Sequence, residues 1–175
     1  DWSSDVCSSD LSLPHLIRKM YYFYGDTQII KENYDAIRKL IEFLNASTED
    51  YLFDKDLGDH ETLDEKSIPL TASIFYYMLV SYIKEFASII EKQDDVAKYT
   101  TLSKKIKEAI NKKFSDSNSG VYARGTQSDQ IFALWSSIAE SKDRDKALEA
   151  LFTALENKNW HLSTGIFGTK MLFDV

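Results

Sequence analysis

The sequence predicts an all-α fold made of about three helical hairpins. Three observations lead there. Apolar residues recur at three- and four-residue spacing through most of the 175 positions. Six Gly and two Pro are too few for a β-sandwich, which places turn residues every ~8–12 positions. The links between helical segments alternate between short and long. Antiparallel packing of such segments puts all the long loops at one end of the stack.

The first helix is expected over Pro14–Tyr24, with Pro near its start and Gly25 as its stop. The second runs over Thr27–Asn45, where Ile30, Tyr34, Ile37, Ile41 and Leu44 form one stripe. The third, Pro69–Lys92, is apolar nearly all round: Phe75, Met78, Leu79, Tyr82, Phe86 and Ile89 share one side, and Ile74, Tyr76, Tyr77 and Val80 fill others. The fourth, Asp95–Phe114, carries Val96, Tyr99, Leu102, Ile106, Ile110 and Phe114 on one face and lysines elsewhere. The fifth spans Ser128–Ser141 and the sixth Asp143–Asn157, the latter with Leu148, Leu151, Phe152 and Leu155 as its apolar positions. Met171–Val175 reads as the start of a seventh.

Tight links are expected at Gly25-Asp26, Gln93-Asp94 and Lys142, followed by Thr27, Asp95 and Asp143 as favourable helix starts. Long loops are expected over Ala46–Ile68, Ser115–Gln127 and Lys158–Thr169. The hairpin spacing is unequal, which disfavours a regular solenoid with a fixed ~34-residue period. Apolar odd helices and amphipathic even ones fit half of a double-layered helical toroid, odd helices inside and even helices outside.

Composition narrows the partners. The formal net charge is −7, with 21 Lys and Arg against 28 Asp and Glu, so clustered basic surface for nucleic acid is not expected. The lysines at 104, 105, 107, 112 and 113 read as a solvated helix face. Ile68–Ile83 lacks charge, but it falls short of the ~20 residues that span a bilayer, so no membrane association is expected. The head, Asp1–Leu11, has neither helical nor strand period and no signal-peptide pattern. It matches the translation of a sequencing adapter and is read as non-native, with residues 12–175 as part of a catalytic domain. Without its three Asp, the rest carries 25 acids and 21 bases, a net of −4, and no Cys. That removes any Cys-based metal site.

The long loops hold most residues able to do chemistry. Asp59-His60-Glu61 is open to three readings: a metal site, a polar clamp or a surface turn. A metal would require more His or Cys at ligand spacing, so none is expected. A clamp suits sugars, because carboxylates accept paired hydrogen bonds from vicinal hydroxyls and His donates or accepts. Trp160 offers a flat face for a sugar ring or for the core. His161 taken alone reads as a structural His, and Thr126-Gln127 as a helix cap. The chain has no phosphate loop, no G-x-S-x-G and no dinucleotide fingerprint, and no cofactor is expected.

Tyr24-Gly25-Asp26-Thr27 with Glu32-Asn33-Tyr34 resembles the Y-G-D-T…E-N-Y helix pair of bacterial α-L-rhamnosidases. Gly58-Asp59-His60-Glu61 is similar to a variant of their G-D-W loop, followed by Pro69-Leu70-Thr71-Ala72 opening an inner helix. Gly125-Thr126-Gln127 matches their G-T-Q loop. His161-Leu162-Ser163-Thr164-Gly165-Ile166-Phe167-Gly168-Thr169 resembles H-L-[ST]-T-G-x-x-G-T, the most specific of the set. The resemblance covers about Leu13 to Val175 and implies part of an (α/α)6 six-hairpin toroid.

It further implies an inverting glycoside hydrolase releasing terminal α-L-rhamnose, with a rhamnose-containing carbohydrate as substrate. In the family, the general acid lies in a D-x-x-E-R-x-G-W segment upstream and the general base in a W-E motif downstream. Neither motif occurs here, so the chain is expected to be an internal fragment with no catalytic residue. Asp59, His60 and Glu61 would line the sugar pocket, with Gln127 and His161 near it. His60 stands where many relatives have Trp. The rival readings are another six-hairpin carbohydrate enzyme and a non-enzymatic helical scaffold.

Overall fold

The computed structural model describes residues 11–139 and 143–175. The adapter-like head therefore lies outside the described residues, apart from Leu11, as does the expected link at Lys142. Among the described residues there are seven helices: α1 (Ser12–Tyr24), α2 (Gln28–Ala46), α3 (Ile68–Ile89), α4 (Gln93–Phe114), α5 (Gln127–Trp135), α6 (Arg144–Glu156) and α7 (Ile166–Leu172). They form no strand, only isolated bridges at Glu49–Leu52 and Ser115–Tyr122. The all-α expectation therefore holds.

The odd helices form a chain of neighbours, α1 on α3, α3 on α5 and α5 on α7. The even helices back them: α2 packs on α1 and α3, α4 on α3, and α6 on α5. This is the inner and outer layering that the alternation of apolar and amphipathic helices predicts. α3 sits at the middle. It buries Leu70, Ile74, Phe75, Leu79, Val80, Ile83 and Phe86, which together occupy every side of the helix. Each such side chain contributes about 1.5–3 kcal/mol on leaving water. α4 instead buries one stripe, Tyr99, Ser103, Ile106 and Ile110, and leaves its lysines in solvent apart from the half-buried Lys107.

The tight links are set by local chemistry. α1 ends at Gly25, in the left-handed region at φ 67°, where its amide donates to the Tyr21 carbonyl. Asp26, rather than Thr27, serves the start of α2: its Oδ1 accepts from the Gln28 amide at 2.7 Å. α3 ends three residues before the expected Lys92. Glu91 turns left-handed at φ 61° and the Lys92 amide reaches back to the Ala87 carbonyl at 2.8 Å. That six-to-one closure is a Schellman stop built without glycine, which hides it from a search for Gly.

α5 is also shorter than expected. The Ser136 hydroxyl donates to the Phe132 carbonyl at 2.6 Å and Ser137 adopts φ 59°, so the helix stops at Trp135 although Ile138 and Ala139 remain buried. α7 starts five residues earlier than the expected Met171, for a reason that lies in the loops.

Across the inner layer, α1 is tied to α3 by polar contacts. Arg18 pairs with Glu85 at 2.7 Å, the Tyr22 hydroxyl donates to Glu85 at 2.8 Å, and His15 Nδ1 lies 3.0 Å from the Tyr82 hydroxyl. Between α2 and α4, the Tyr34 hydroxyl donates to Asp95 at 2.7 Å.

Candidate functional site

The N-termini of α3, α5 and α7 share one end of the stack, and the three long loops meet there. The first turn of α5 holds them together. Gln127, Ser128, Asp129 and Gln130 are all buried, which is unusual for four consecutive polar residues. Each finds its partners mainly in the surrounding loops. Gln127 Nε2 donates to the His161 carbonyl at 3.0 Å, and its Oε1 accepts from the Ser163 amide at 3.0 Å. The Ser128 hydroxyl donates to Asp59 at 2.5 Å. Asp129 accepts from the Ser67 hydroxyl at 3.0 Å and completes a capping box with Thr126. Gln130 accepts from the Tyr122 amide at 2.7 Å and donates to the carbonyls of Gly120 and Ala147. One helical turn thus binds the loops before α3, before α5 and before α7.

Asp59 forms the second knot. It is 3% exposed, and both of its oxygens are occupied. Oδ1 accepts from the amides of Phe167 and Gly168 at 3.0 and 3.1 Å. Oδ2 accepts from the Gly165 amide at 2.7 Å as well as from Ser128. A carboxylate from a distant loop therefore caps the first turn of α7, and the favourable charge at a helix N-terminus is met by it. This is why α7 begins at Ile166. The two glycines of the G-x-x-G stretch make room. A Cβ on Gly168 would stand 2.5 Å from Asp59 Oδ2, and one on Gly165 would meet Asp59 Oδ1 at 2.6 Å and collide with the His60 carbonyl.

A third set of contacts closes the rim. The Thr62 hydroxyl and the Leu63 amide both donate to the Ser163 carbonyl, at 2.8 and 2.9 Å. The Ser163 hydroxyl donates to Asp64 at 2.5 Å, and Lys158 pairs with the same carboxylate at 2.8 Å. Burial pushes the Asp64 carboxyl up, but the hydrogen bonds from Lys158 and Ser163 outweigh it and hold the group below the usual carboxylate range. Asp129 shows the opposite balance. Its deeper burial outweighs its hydrogen bonds and raises it.

The five residues expected at the pocket fall into two groups. Asp59 and Gln127 lie in the buried frame, with their polar atoms engaged by protein groups. His60, Glu61 and His161 are exposed on the loop surface. His60 Nδ1 stands 3.5 Å from Glu61 Oε1. His161 Nδ1 faces the carbonyls of Asn159 and Lys158, at 3.0 and 3.2 Å, so one ring nitrogen serves the turn after α6. Trp160, 60% exposed, leans on Phe152 of α6 at 6.3 Å between ring centroids, toward the outer layer. Arg124 pairs with Glu65 at 2.8 Å on the surface. No cluster of His, Cys, Asp and Glu suited to a metal occurs among the described residues. No described helix is long and apolar enough to cross a membrane.

Sequence reasoning passed over Ser128, Gln130, Asp64 and Ser163. A signal was present for the first two: four polar residues opening an apolar helix must find partners if that turn is buried. Ser163 lies inside the H-L-[ST]-T-G stretch, but no local signal pairs it with Asp64, since their partnership spans 99 positions.

Comparison with known proteins places this arrangement. Residues 6–175 match the family model described as the bacterial alpha-L-rhamnosidase six-hairpin glycosidase domain. An alpha-L-rhamnosidase of Formosa agariphila is 23% identical over 90% of the chain, and one of Streptomyces avermitilis is 27% identical over 89%. The chain spans 18% and 15% of those two proteins. Among solved structures, the α-L-rhamnosidase of Dictyoglumus thermophilum superposes with a TM-score of 0.87 at 26% identity, over 94% of this chain and 20% of that one. The Streptomyces avermitilis enzyme, solved with L-rhamnose, gives 0.82 at 24% identity, over 90% of this chain and 16% of that one.

Proposed function

Because the chain belongs to the six-hairpin glycosidase family of bacterial α-L-rhamnosidases, we propose that it forms one wall of the sugar site in an enzyme that releases terminal α-L-rhamnose. The substrate is a rhamnose-containing glycoside or polysaccharide. The observation that carries this reading is the convergence of three loops on one end of the stack, with His60, Glu61 and His161 left exposed on a surface whose frame is fully hydrogen-bonded. Loops locked this way present polar groups without having to be ordered by the ligand.

The reaction proceeds with inversion. One carboxylic acid protonates the leaving oxygen while a second carboxylate draws a proton from water on the opposite face, the pair standing roughly 6.5–9.5 Å apart. Neither group belongs to this chain in the reading proposed here. Four of the carboxylates at the loop end are already engaged, which supports that view, and Glu61 is left to bind. Asp59 is saturated by four donors, Asp64 is held by Lys158 and Ser163, Asp129 is buried in a cap, and Glu65 is paired with Arg124. Acid and base come from stretches of the relatives that the chain does not span. Its own residues bind and orient the sugar: His60 and His161 donate to or accept from ring hydroxyls, and Glu61 accepts from them.

An aryl α-L-rhamnoside assay tests the proposal. This 175-residue chain is expected to show no turnover beside a full-length homologue, and matching turnover would refute the division of labour. In the full-length protein, His60→Ala and His161→Ala are expected to raise KM or lower kcat. Release of a different sugar would identify another six-hairpin carbohydrate enzyme.

A further inference from the structure

The turn that carries His60 and Glu61 belongs to no helix, yet its backbone is tied at Asp59, His60, Thr62 and Leu63, on both sides of Glu61. The His60 carbonyl accepts from the Ile166 amide at 2.8 Å. The Thr62 amide donates to the Asp59 carbonyl at 3.3 Å, and the next amide, of Leu63, to Ser163. Glu61 adopts φ 62°, a conformation that a side chain with a Cβ keeps only where its surroundings hold it. The two side chains themselves are free of the frame, at 48% and 76% exposure. A rigid backbone thus holds out two solvent-facing polar heads.

Resting on the sugar-site reading above, we propose that Asp59 is the positioning residue of this site: its buried carboxylate clasps the His60–Glu61 turn to the first turn of α7 and to α5, and so fixes where His60 meets the sugar. Four donors converge on Asp59, three of them amides from Gly165–Gly168 and one the Ser128 hydroxyl. Asp59 is the immediate neighbour of His60, so any shift of its anchor moves the His60 backbone directly. The clasp also accounts for the glycines at 165 and 168, whose missing Cβ atoms leave the space that the carboxylate fills.

The chemistry demands a carboxylate. An amide at this position would place an NH2 group where an oxygen now accepts. In either orientation it would face a backbone N–H that cannot turn away: Phe167 and Gly168 on one side, Gly165 on the other. Asp59→Asn is therefore a disruptive change despite its equal size.

The test is a double-mutant cycle in the full-length protein, read by kcat/KM on an aryl α-L-rhamnoside and by amide hydrogen exchange. Asp59→Asn and His60→Ala are each expected to lower kcat/KM by about ten-fold or more, with the double variant no worse than the weaker single one. Amides at 60–63 and 165–168 should exchange faster in Asp59→Asn, while those of α2 and α4 do not change. Effects that multiply would overturn the proposal, because Asp59 would then act on the sugar independently of His60. Unchanged exchange would overturn it too, since the clasp would not exist. If exchange quickens but neither variant alters the kinetics, the sugar-site reading falls and the clasp stands. Ser128→Ala, which removes one donor of four, gives the same pattern at smaller size and covers the case in which Asp59→Asn fails to fold.

Discussion

Gly168→Ala gives the clasp at Asp59 a sign as well as a size. Gly168 lies inside α7 and outside the left-handed region, so its backbone places no demand for glycine. Helix propensity alone would make alanine better there by about 1 kcal/mol. Packing says the reverse. The new Cβ would stand 2.5 Å from Asp59 Oδ2 and 3.1 Å from both Ser128 Oγ and Thr164 Cβ. The carboxylate must withdraw by most of an ångström, and each hydrogen bond it loses is charge-assisted, contributing about 1.5–3 kcal/mol. Losing the two bonds on Oδ2, from Ser128 and Gly165, and regaining the helix preference leaves a net destabilisation of about 2–5 kcal/mol.

For a domain of this size, that lowers the melting temperature by roughly 5–15 °C, read by circular dichroism or calorimetry. Asp59→Ala should suppress the effect, since the Cβ then meets no carboxylate. An alanine variant as stable as the parent, or more stable, would refute the reasoning. It would show that propensity wins and that Asp59 does not occupy the first turn of α7.

Gly25→Ala should cost only the left-handed strain, about 1–2 kcal/mol, because no atom lies within 4 Å of its would-be Cβ; urea unfolding checks it. Gln130→Ala strips three hydrogen bonds from a fully buried site and should cost about 3 kcal/mol or more, whereas Arg124→Ala, which breaks only the exposed pair with Glu65, should stay within about 1 kcal/mol. The buried Tyr99 hydroxyl has no hydrogen-bond partner among the described residues, and burial pushes its phenol up to about 12. Tyr99→Phe should therefore be neutral or stabilising by about 1 kcal/mol in urea unfolding, and a clear loss would reveal a partner. His15 is held below its ordinary 6.5 by burial and by the nearby charges of Lys170, Lys19 and Arg18, against a smaller opposing pull from Asp174. A His depressed in the folded state contributes stability that is full above 6.5 and fades as pH falls through the folded value. His15→Gln should flatten the slope of stability against pH below about 6.5, and an unchanged slope would count against a half-buried imidazole held neutral.

The helices were legible because their signal is local. Ile30, Tyr34, Ile37, Ile41 and Leu44 are the buried residues of α2, and the stripe they make is visible without any partner in view. The near-uniform apolar character of α3 likewise marks a helix covered on all sides. Helix ends were legible only where a residue type carries the stop, as at Gly25. At Glu91 and Ser137 the left-handed turn is made by residues with a Cβ, and the predicted ends overshoot. What holds them is tertiary: α4 packing against α3 for the first, burial of Ile138 and Ala139 for the second.

The site divides along the same line. That Asp59, His60, Glu61, Gln127 and His161 gather at one end follows from alternating loop lengths, because antiparallel helices return the chain to that end each time. Which of them face the solvent does not follow. A carboxylate in a loop looks the same in the sequence whether it awaits a sugar or caps a helix. Asp59 caps a helix whose first turn lies more than a hundred positions downstream, at Gly165–Gly168. One clue was present in the spacing itself. A glycine pair three apart at the start of a short helix, with no left-handed turn to require either, means that another group comes too close for a Cβ. The approaching group must then be an acceptor, because what glycine exposes there is the unpaired amides of a helix N-terminus. Among the loop carboxylates that share this end of the stack, Asp59 is the one whose two oxygens take the amides of Gly165, Phe167 and Gly168.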